Sequence, residues 1–255
     1  MTSRASEVSF VSDDEHLSFG VEPGTLKYRL RRARYPALAK SIAQFADQRL
    51  AGQNKDMRIL DVGVGRGRTF RYVSATGTAG RFDWYGLDIS KVPQDALAGA
   101  NHYRISLANI EDGLPYEDNF FDVLVAEQIL EHLHDPDYAV SEMYRVAKPG
   151  GLLIIGVPVF TGPVASIRNA YIRWFPGLFK KSGSDHHQTF SLRSIRRLLL
   201  HDGVVREDCV RGFRILSGGL LRPLENYYWW YRFNAWLGEK LPAYCTEVQF
   251  CLRKA

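Results

Sequence analysis

Gly63, Gly65 and Gly67 stand at alternate positions after a short apolar run that closes in an acid, Ile59, Leu60, Asp61 and Val62. Directly behind them Arg68, Thr69 and Phe70 resume a pattern compatible with a helix. The stretch reads as a strand, a tight turn and a helix start. Glycine serves where the backbone takes positive φ or where a ligand comes closer than a β-carbon permits, and the free N–H groups of a helix's first turn face whatever docks there. The turn is therefore a place to hold a small molecule, with an ordinary glycine-containing loop as the plain alternative. A second acid, Asp88, follows 21 residues after Gly67, at the close of another apolar run, Phe82 to Leu87. A carboxylate at that strand tip is placed to accept hydrogen bonds from both ribose hydroxyls of a nucleoside held by the glycines; its alternative role is a cap or loop acid.

The elements that must position these groups follow from hydrophobic periodicity. After Pro36, residues Leu38, Ile42, Phe45, Ala46 and Leu50 recur at helical spacing, which predicts an amphipathic helix laid on a sheet. A third strand is expected near His102 to Leu107, and Phe120 to Ala126 is nearly continuously apolar, as a buried parallel strand should be. Asp135 and Pro136 suit the cap and first turn of a helix carrying Ala139, Val140, Met143, Val146 and Ala147 on one face, which Lys148, Pro149, Gly150 and Gly151 stop before the strand Leu152 to Val157. Five alternations of strand and helix imply an α/β fold, a doubly wound and mostly parallel sheet whose ligand lies off the carboxyl ends of its strands. A helix from Ser191 to His201 and strands at Val204 to Phe213 and Thr246 to Leu252 complete seven strands.

The 255 residues suit one α/β domain with additions, and 45% hydrophobic with 24% charged residues describe a globular chain. No apolar run approaches the roughly 18 residues that span a bilayer. The polar N-terminal stretch lacks the pattern of a signal peptide, so a cytoplasmic location is expected. Cys209, Cys245 and Cys251 form no CxxC pair and read as reduced thiols, and no metal site is expected. The net charge of +5 allows an anionic partner without choosing one. Residues 1–22 read as a flexible arm, 23–57 as N-terminal helices and 58–158 as a cofactor-binding core. The basic run from Thr25 to Arg34 reads as a solvated helix face.

Four landmarks in order, LDVGVGRGRTF, YGLDIS, NIEDGLPYEDNFFDVL and LEHLHDPDYAVSEMYRVAKPGGLLIIGVP, make Arg58 to Pro158 resemble the class I methyltransferases that use S-adenosylmethionine, and within them the small-molecule, type 11 branch. The resemblance implies a Rossmann-like core in which Gly63, Gly65 and Gly67 lie against the methionine part of the cofactor and Asp88 binds the ribose. It further implies that Ile89 packs on the adenine, that Asn109 and Ile110 meet the adenine edge, and that Glu127 and Gln128 pass the methionine end. The family usually has Asp at the position of Asn109. Asp61 is expected near the cofactor's amino group, or as a carboxylate fixing the glycine loop. A nicotinamide dinucleotide enzyme is disfavoured because the glycines run GxGxG instead of GxGxxG, with an acid immediately before them.

Methyl transfer from a sulfonium is an in-line displacement, with S-adenosylhomocysteine as product, and needs a base only when the acceptor must lose a proton. His132, His186 and His187 are the catalytic candidates, with Glu131 and His134 beside them. The acceptor side is expected in two insertions, 159–190 and 214–245, rich in aromatics interleaved with Arg and Lys. Such composition suits an apolar or anionic acceptor, small or linked to a lipid or glycan, a second subunit in a homodimer, or a helix at a membrane surface. Two other readings are a methyltransferase-like module that binds without turnover, and a nucleic-acid methyltransferase. The latter is disfavoured because the chain has no NPPY-type tetrad.

Overall fold

A computed structural model describes residues 32–50, 57–93, 97, 103–160, 187–217 and 219–255. The strands are β1 (Met57–Val62), β2 (Phe82–Asp88), β3 (Tyr103–Leu107), β4 (Phe121–Glu127), β5 (Ala147–Pro158), β6 (Val205–Phe213) and β7 (Glu247–Lys254). They form one sheet in the order β3-β2-β1-β4-β5-β7-β6. The pairs among β1 to β5 are parallel, and β7 runs antiparallel between β5 and β6. The seven-stranded, mostly parallel α/β fold expected from the sequence is thus present.

Side chains alternate across the central strands, and both faces are covered. Leu60, Val62, Leu124, Leu153 and Ile155 point into a core closed by α3 (Pro136–Val146) and α4 (Leu192–Leu200), through Val140, Met143, Ile195 and Leu199. Ile59, Val123, Val125, Leu152 and Ile154 face a second core under α1 (Arg34–Leu50) and α2 (Arg68–Ala75), filled by Leu38, Ile42, Phe45, Phe70 and Val73. All seven residues of β4 are buried, which explains its nearly continuous apolar sequence between Asp122 and Glu127. α3 starts as its sequence dictates, with the Asp135 carboxylate accepting from the Tyr138 N–H at 3.0 Å and Pro136 in the first turn. α4 starts at a capping box, where the Ser191 hydroxyl accepts from the Ser194 N–H at 3.1 Å and the Ser194 hydroxyl accepts from the Ser191 N–H at 2.9 Å.

Three local expectations are corrected. α1 begins at Arg34, two residues before Pro36, because proline in a first turn forfeits no intrahelical hydrogen bond. The stretch Lys148 to Gly151 does end α3, but Ala147 already pairs with Phe121, so β5 starts there and passes an irregularity in register before Leu152 meets Val123. Lys148 Nζ lies 2.6 Å from Asp122 Oδ2 across that irregularity, which gives the charge a structural use. The basic run is no solvated face at its end: Arg32 is 6% exposed and the Arg34 side chain 11%. The arm 1–22 and the remainder of that run, up to Arg31, lie outside the described residues.

Between β6 and β7 the chain forms α5 (Tyr228–Lys240), flanked by short 3₁₀ turns at Gly219–Asn226 and Pro242–Tyr244. Because β6 is parallel to β5, this insertion hangs from the carboxyl edge of the sheet, the same edge as the turn after β1.

Candidate functional site

β1 delivers Asp61 and the glycine turn to the carboxyl edge. Gly63, Gly65 and Gly67 take φ of 77°, 51° and 65°, all in the left-handed region that disfavours side chains. At Gly63 space is short as well, because an added β-carbon would overlap the Ile129 side chain. The Gly63 N–H donates to the Leu87 carbonyl at 2.7 Å, which fixes the turn against β2. Asp88, at the tip of β2, accepts from the Gly65 N–H at 2.8 Å, the Ser90 N–H at 2.9 Å and the Ser90 hydroxyl at 3.0 Å. An ionised carboxylate offers about four acceptor positions, and the Ser90 hydroxyl is a rotor that can turn away.

Asp61 is 2% exposed and sits behind the turn, where Oδ1 accepts from the Thr69 hydroxyl at 3.1 Å and Oδ2 from the Tyr103 hydroxyl at 3.4 Å. Burial pushes its carboxyl up to about 7 against the pull of those hydrogen bonds. Glu127 ends β4 and is 8% exposed, with the Gln249 amide donating to Oε1 at 2.6 Å. Arg34 Nε lies 3.0 Å from Oε2, off the hydrogen-bond direction, so that contact acts through charge. Burial raises Glu127 to about 7 although Arg34 and Gln249 oppose the rise. Arg34 also reaches Glu247 at 2.8 Å, and Glu247 meets Arg214 at 2.6 Å. Glu131, 1% exposed, is pushed up to about 8, again chiefly by burial, and its Oε2 has no hydrogen-bond partner among the described residues.

These elements enclose a cleft of about 670 Å³. Of the sequence candidates it is lined by Gly63, Gly65, Asp88, Ile89, Asn109, Ile110, Glu127, Gln128, His132 and His187. Ile89 is 80% exposed, an apolar side chain standing at the cleft. The Asn109 carbonyl oxygen accepts from the Glu111 N–H at 3.1 Å, so this residue caps the turn Ile110–Asp112 besides facing the cleft. Gln128 takes φ of 61°, an unusual backbone for a residue with a side chain. Its Nε2 is buried with no hydrogen-bond partner among the described residues. A strained residue with a spare donor at a cleft is what a ligand site is expected to hold.

Asp61 and Gly67 do not line the cleft but support the turn that does. The His132 Nε2 lies 3.9 Å from Glu131 Oε1, while the His134 and His187 rings approach to 3.9 Å between centroids. His186 lies outside the described residues. Arg34 and Tyr35 also line the cleft and were missed from the sequence, where they look like the end of a charged surface run. The signal that could have found them is that the helical pattern of α1 already fits from Arg34, which turns the first residues of that helix toward the sheet edge. Among the described residues of the two insertions, 159–190 contributes His187 to the lining and 214–245 contributes none, so the described part of the latter forms no lid over this cleft.

An α/β sheet in this order with a glycine turn and a strand-tip acid defines a nucleoside-binding fold of the class I methyltransferase type. Residues 60–155 match the type 11 family described as "Methyltransferase domain". The ubiquinone/menaquinone biosynthesis C-methyltransferase of Vibrio vulnificus is 31% identical over 132 residues, 48% of this chain and 49% of that protein. The glycine/sarcosine/dimethylglycine N-methyltransferase of Actinopolyspora halophila is 31% identical over 133 residues, 47% of this chain and 21% of that protein. The chain thus spans at most about half the length of these relatives. Among solved structures, a putative sarcosine dimethylglycine methyltransferase from Galdieria sulphuraria superposes with a TM-score of 0.57 at 17% identity, over 89% of this chain and 86% of that one. A Burkholderia thailandensis 1,6-didemethyltoxoflavin-N1-methyltransferase, solved with S-adenosylhomocysteine, gives 0.53 at 16% identity, over 89% and 78%. At such identity the structural likenesses speak for the fold. Residues 60–155, less than half of the chain, are thus similar to the methyltransferase domains of this family.

Proposed function

We propose that the protein is an S-adenosylmethionine-dependent methyltransferase acting on a small-molecule acceptor or one linked to a lipid or glycan, in the cytoplasm. The observation that carries this reading is the conjunction of a left-handed glycine turn, Asp88 hydrogen-bonded to that turn, and a cleft beside them into which Gln128 brings a spare donor. The residues present fit the cofactor. The turn offers backbone N–H groups without side chains in the way, Asp88 offers acceptors for ribose hydroxyls, and exposed Ile89 offers an apolar surface for a base. Bound there, the cofactor would supply an electrophilic methyl group.

The chain's own residues would then bind, orient and exclude water. Gln128 is suited to donate to the cofactor's carboxylate, and Asp61, behind the turn, to neutralise its ammonium through the loop. Arg34 and Gln249 hold Glu127 where β4 ends, so the wall next to the methionine end is rigid. For an acceptor that must lose a proton, His132 is the candidate base, because it lines the cleft with its Nε2 3.9 Å from Glu131 Oε1. His187, brought against His134, is the alternative. The relatives' names include both carbon and nitrogen methylation, so the acceptor atom stays open. Acceptor contacts are placed here on the insertion 159–190, which supplies His187.

Calorimetric titration with S-adenosylmethionine and S-adenosylhomocysteine tests the proposal. Binding of both is expected, and binding of neither by the folded chain would overturn it. A screen of cell extract for enzyme-dependent incorporation of labelled methyl then separates an enzyme from a module that binds without turnover.

A further inference from the structure

α5 turns a stripe of aromatic side chains to water. The stripe packed toward β6 consists of Trp230, Asn234 and Gly238, whereas Trp229, Phe233 and Trp236 are 57%, 40% and 55% exposed. Those three fall at i, i+4 and i+7 and so share one face, with the Phe233 and Trp236 rings stacked at 6.1 Å. Tyr227 before the helix and Leu241 and Tyr244 after it prolong the exposed apolar surface. A contiguous aromatic face turned to water marks an interaction site.

Ring type and charge indicate the partner. Tyr227, Trp229, Trp236 and Tyr244 are the amphipathic aromatics that prefer a boundary between apolar and wet phases. The insertion 214–245, which contains this face, carries four Lys and Arg against two Asp and Glu. Such a surface attracts anionic headgroups and repels its own copy. No helix among the described residues is long and apolar enough to cross a membrane, which fits a helix lying on one.

We propose that α5 docks in the headgroup layer of an anionic bilayer through Trp229, Phe233 and Trp236. Because α5 hangs from the carboxyl edge of the sheet, the cleft then opens at the side of the protein that meets the membrane. This rests on the proposed function only for its purpose: it supplies the methyltransferase with acceptors of lipid character. The docking itself is independent of turnover.

The test uses the full chain with vesicles of phosphatidylcholine alone and of phosphatidylcholine with phosphatidylglycerol. Cosedimentation with the second and not the first is expected, weakened by salt, with a blue shift of tryptophan fluorescence. The triple variant Trp229→Ala, Phe233→Ala, Trp236→Ala should lose about tenfold or more in partition, while keeping its affinity for S-adenosylhomocysteine. Lys240→Glu, at the edge of the face, should weaken binding to the anionic vesicles without touching the core. Absence of partition by the wild type would overturn the proposal, as would equal partition by the triple variant. So would a wild-type dimer in light scattering that the variant converts to a monomer, since a second copy would then cover the face. Failure to bind S-adenosylhomocysteine in a protein that still partitions would sink the methyltransferase reading instead.

Discussion

Asp88 is one carboxylate with three donors on it, two of them backbone N–H groups that cannot leave without moving the turn. Asp88→Ala removes both the ribose acceptors and the clasp between β2 and the glycines. The expected result is a loss of affinity for S-adenosylhomocysteine of roughly ten- to a hundredfold, about 1.5 to 3 kcal/mol for hydrogen bonds to a charged group, measured by calorimetry. Asp88→Asn should recover part of it. Asp61 allows a prediction about pH. Its folded-state value of about 7 lies above the ordinary carboxylate range, so the folded chain holds this proton more tightly than the unfolded chain does. The associated stability is fully present below about pH 4 and is lost as pH rises through 7. Glu127, also at about 7, adds a slope of the same sign. The melting temperature should therefore fall between pH 5 and pH 8, and Asp61→Asn should flatten part of that fall. A cationic ligand beside Asp61 would favour its ionised form. Binding at pH 6 should then release protons, visible as a dependence of the binding enthalpy on the buffer's ionisation heat.

At the level of elements, the insertion is attached by a close approach of backbones. Gly238 of α5 lies directly on Gly212 of β6, and a β-carbon at Gly238 would overlap the Gly212 carbonyl. Gly238→Ala should therefore pry α5 from the sheet and lower the melting temperature, despite alanine being the better helix former. Ser191→Ala, which removes the hydroxyl that accepts from the Ser194 N–H in the α4 capping box, should cost about 1 kcal/mol in denaturant unfolding without changing cofactor affinity. These two positions differ in how far sequence reveals them. A serine before an apolar helix declares a cap by its local chemistry. A glycine inside a helix reveals nothing about the strand it will touch, because that contact depends on where a distant element is laid.

The same division runs through the whole molecule. The alternation of strands and helices and the glycine turn with Asp88 were legible because each rests on periodicity or on a motif a few residues long. Arg34 was not, since what makes it part of the site is Glu247, 213 residues further along. A charge whose partners are that remote looks like any surface charge. For the same reason the sequence could assign aromatics to the insertion 214–245 but not say which of them turn to water, which depends on which stripe of α5 meets β6.

Glu127 has a consequence in the order of events during synthesis. Its partners are Arg34, at the first helix, and Gln249, on the last strand, so the wall of the cleft is finished only after β7 has slid between β5 and β6. A nascent chain that has released β1 to β5 already carries the glycines and Asp88, yet it exposes the flank of β5 and lacks the amide that steadies Glu127. Ligand affinity should therefore arise late and abruptly as the chain emerges. Ribosome-stalled chains ending before Glu247 are expected to retain little S-adenosylhomocysteine, and chains that also expose Lys254 to retain it fully. On this ordering the pairing of β7 is the step that completes the Glu127 wall of the cleft.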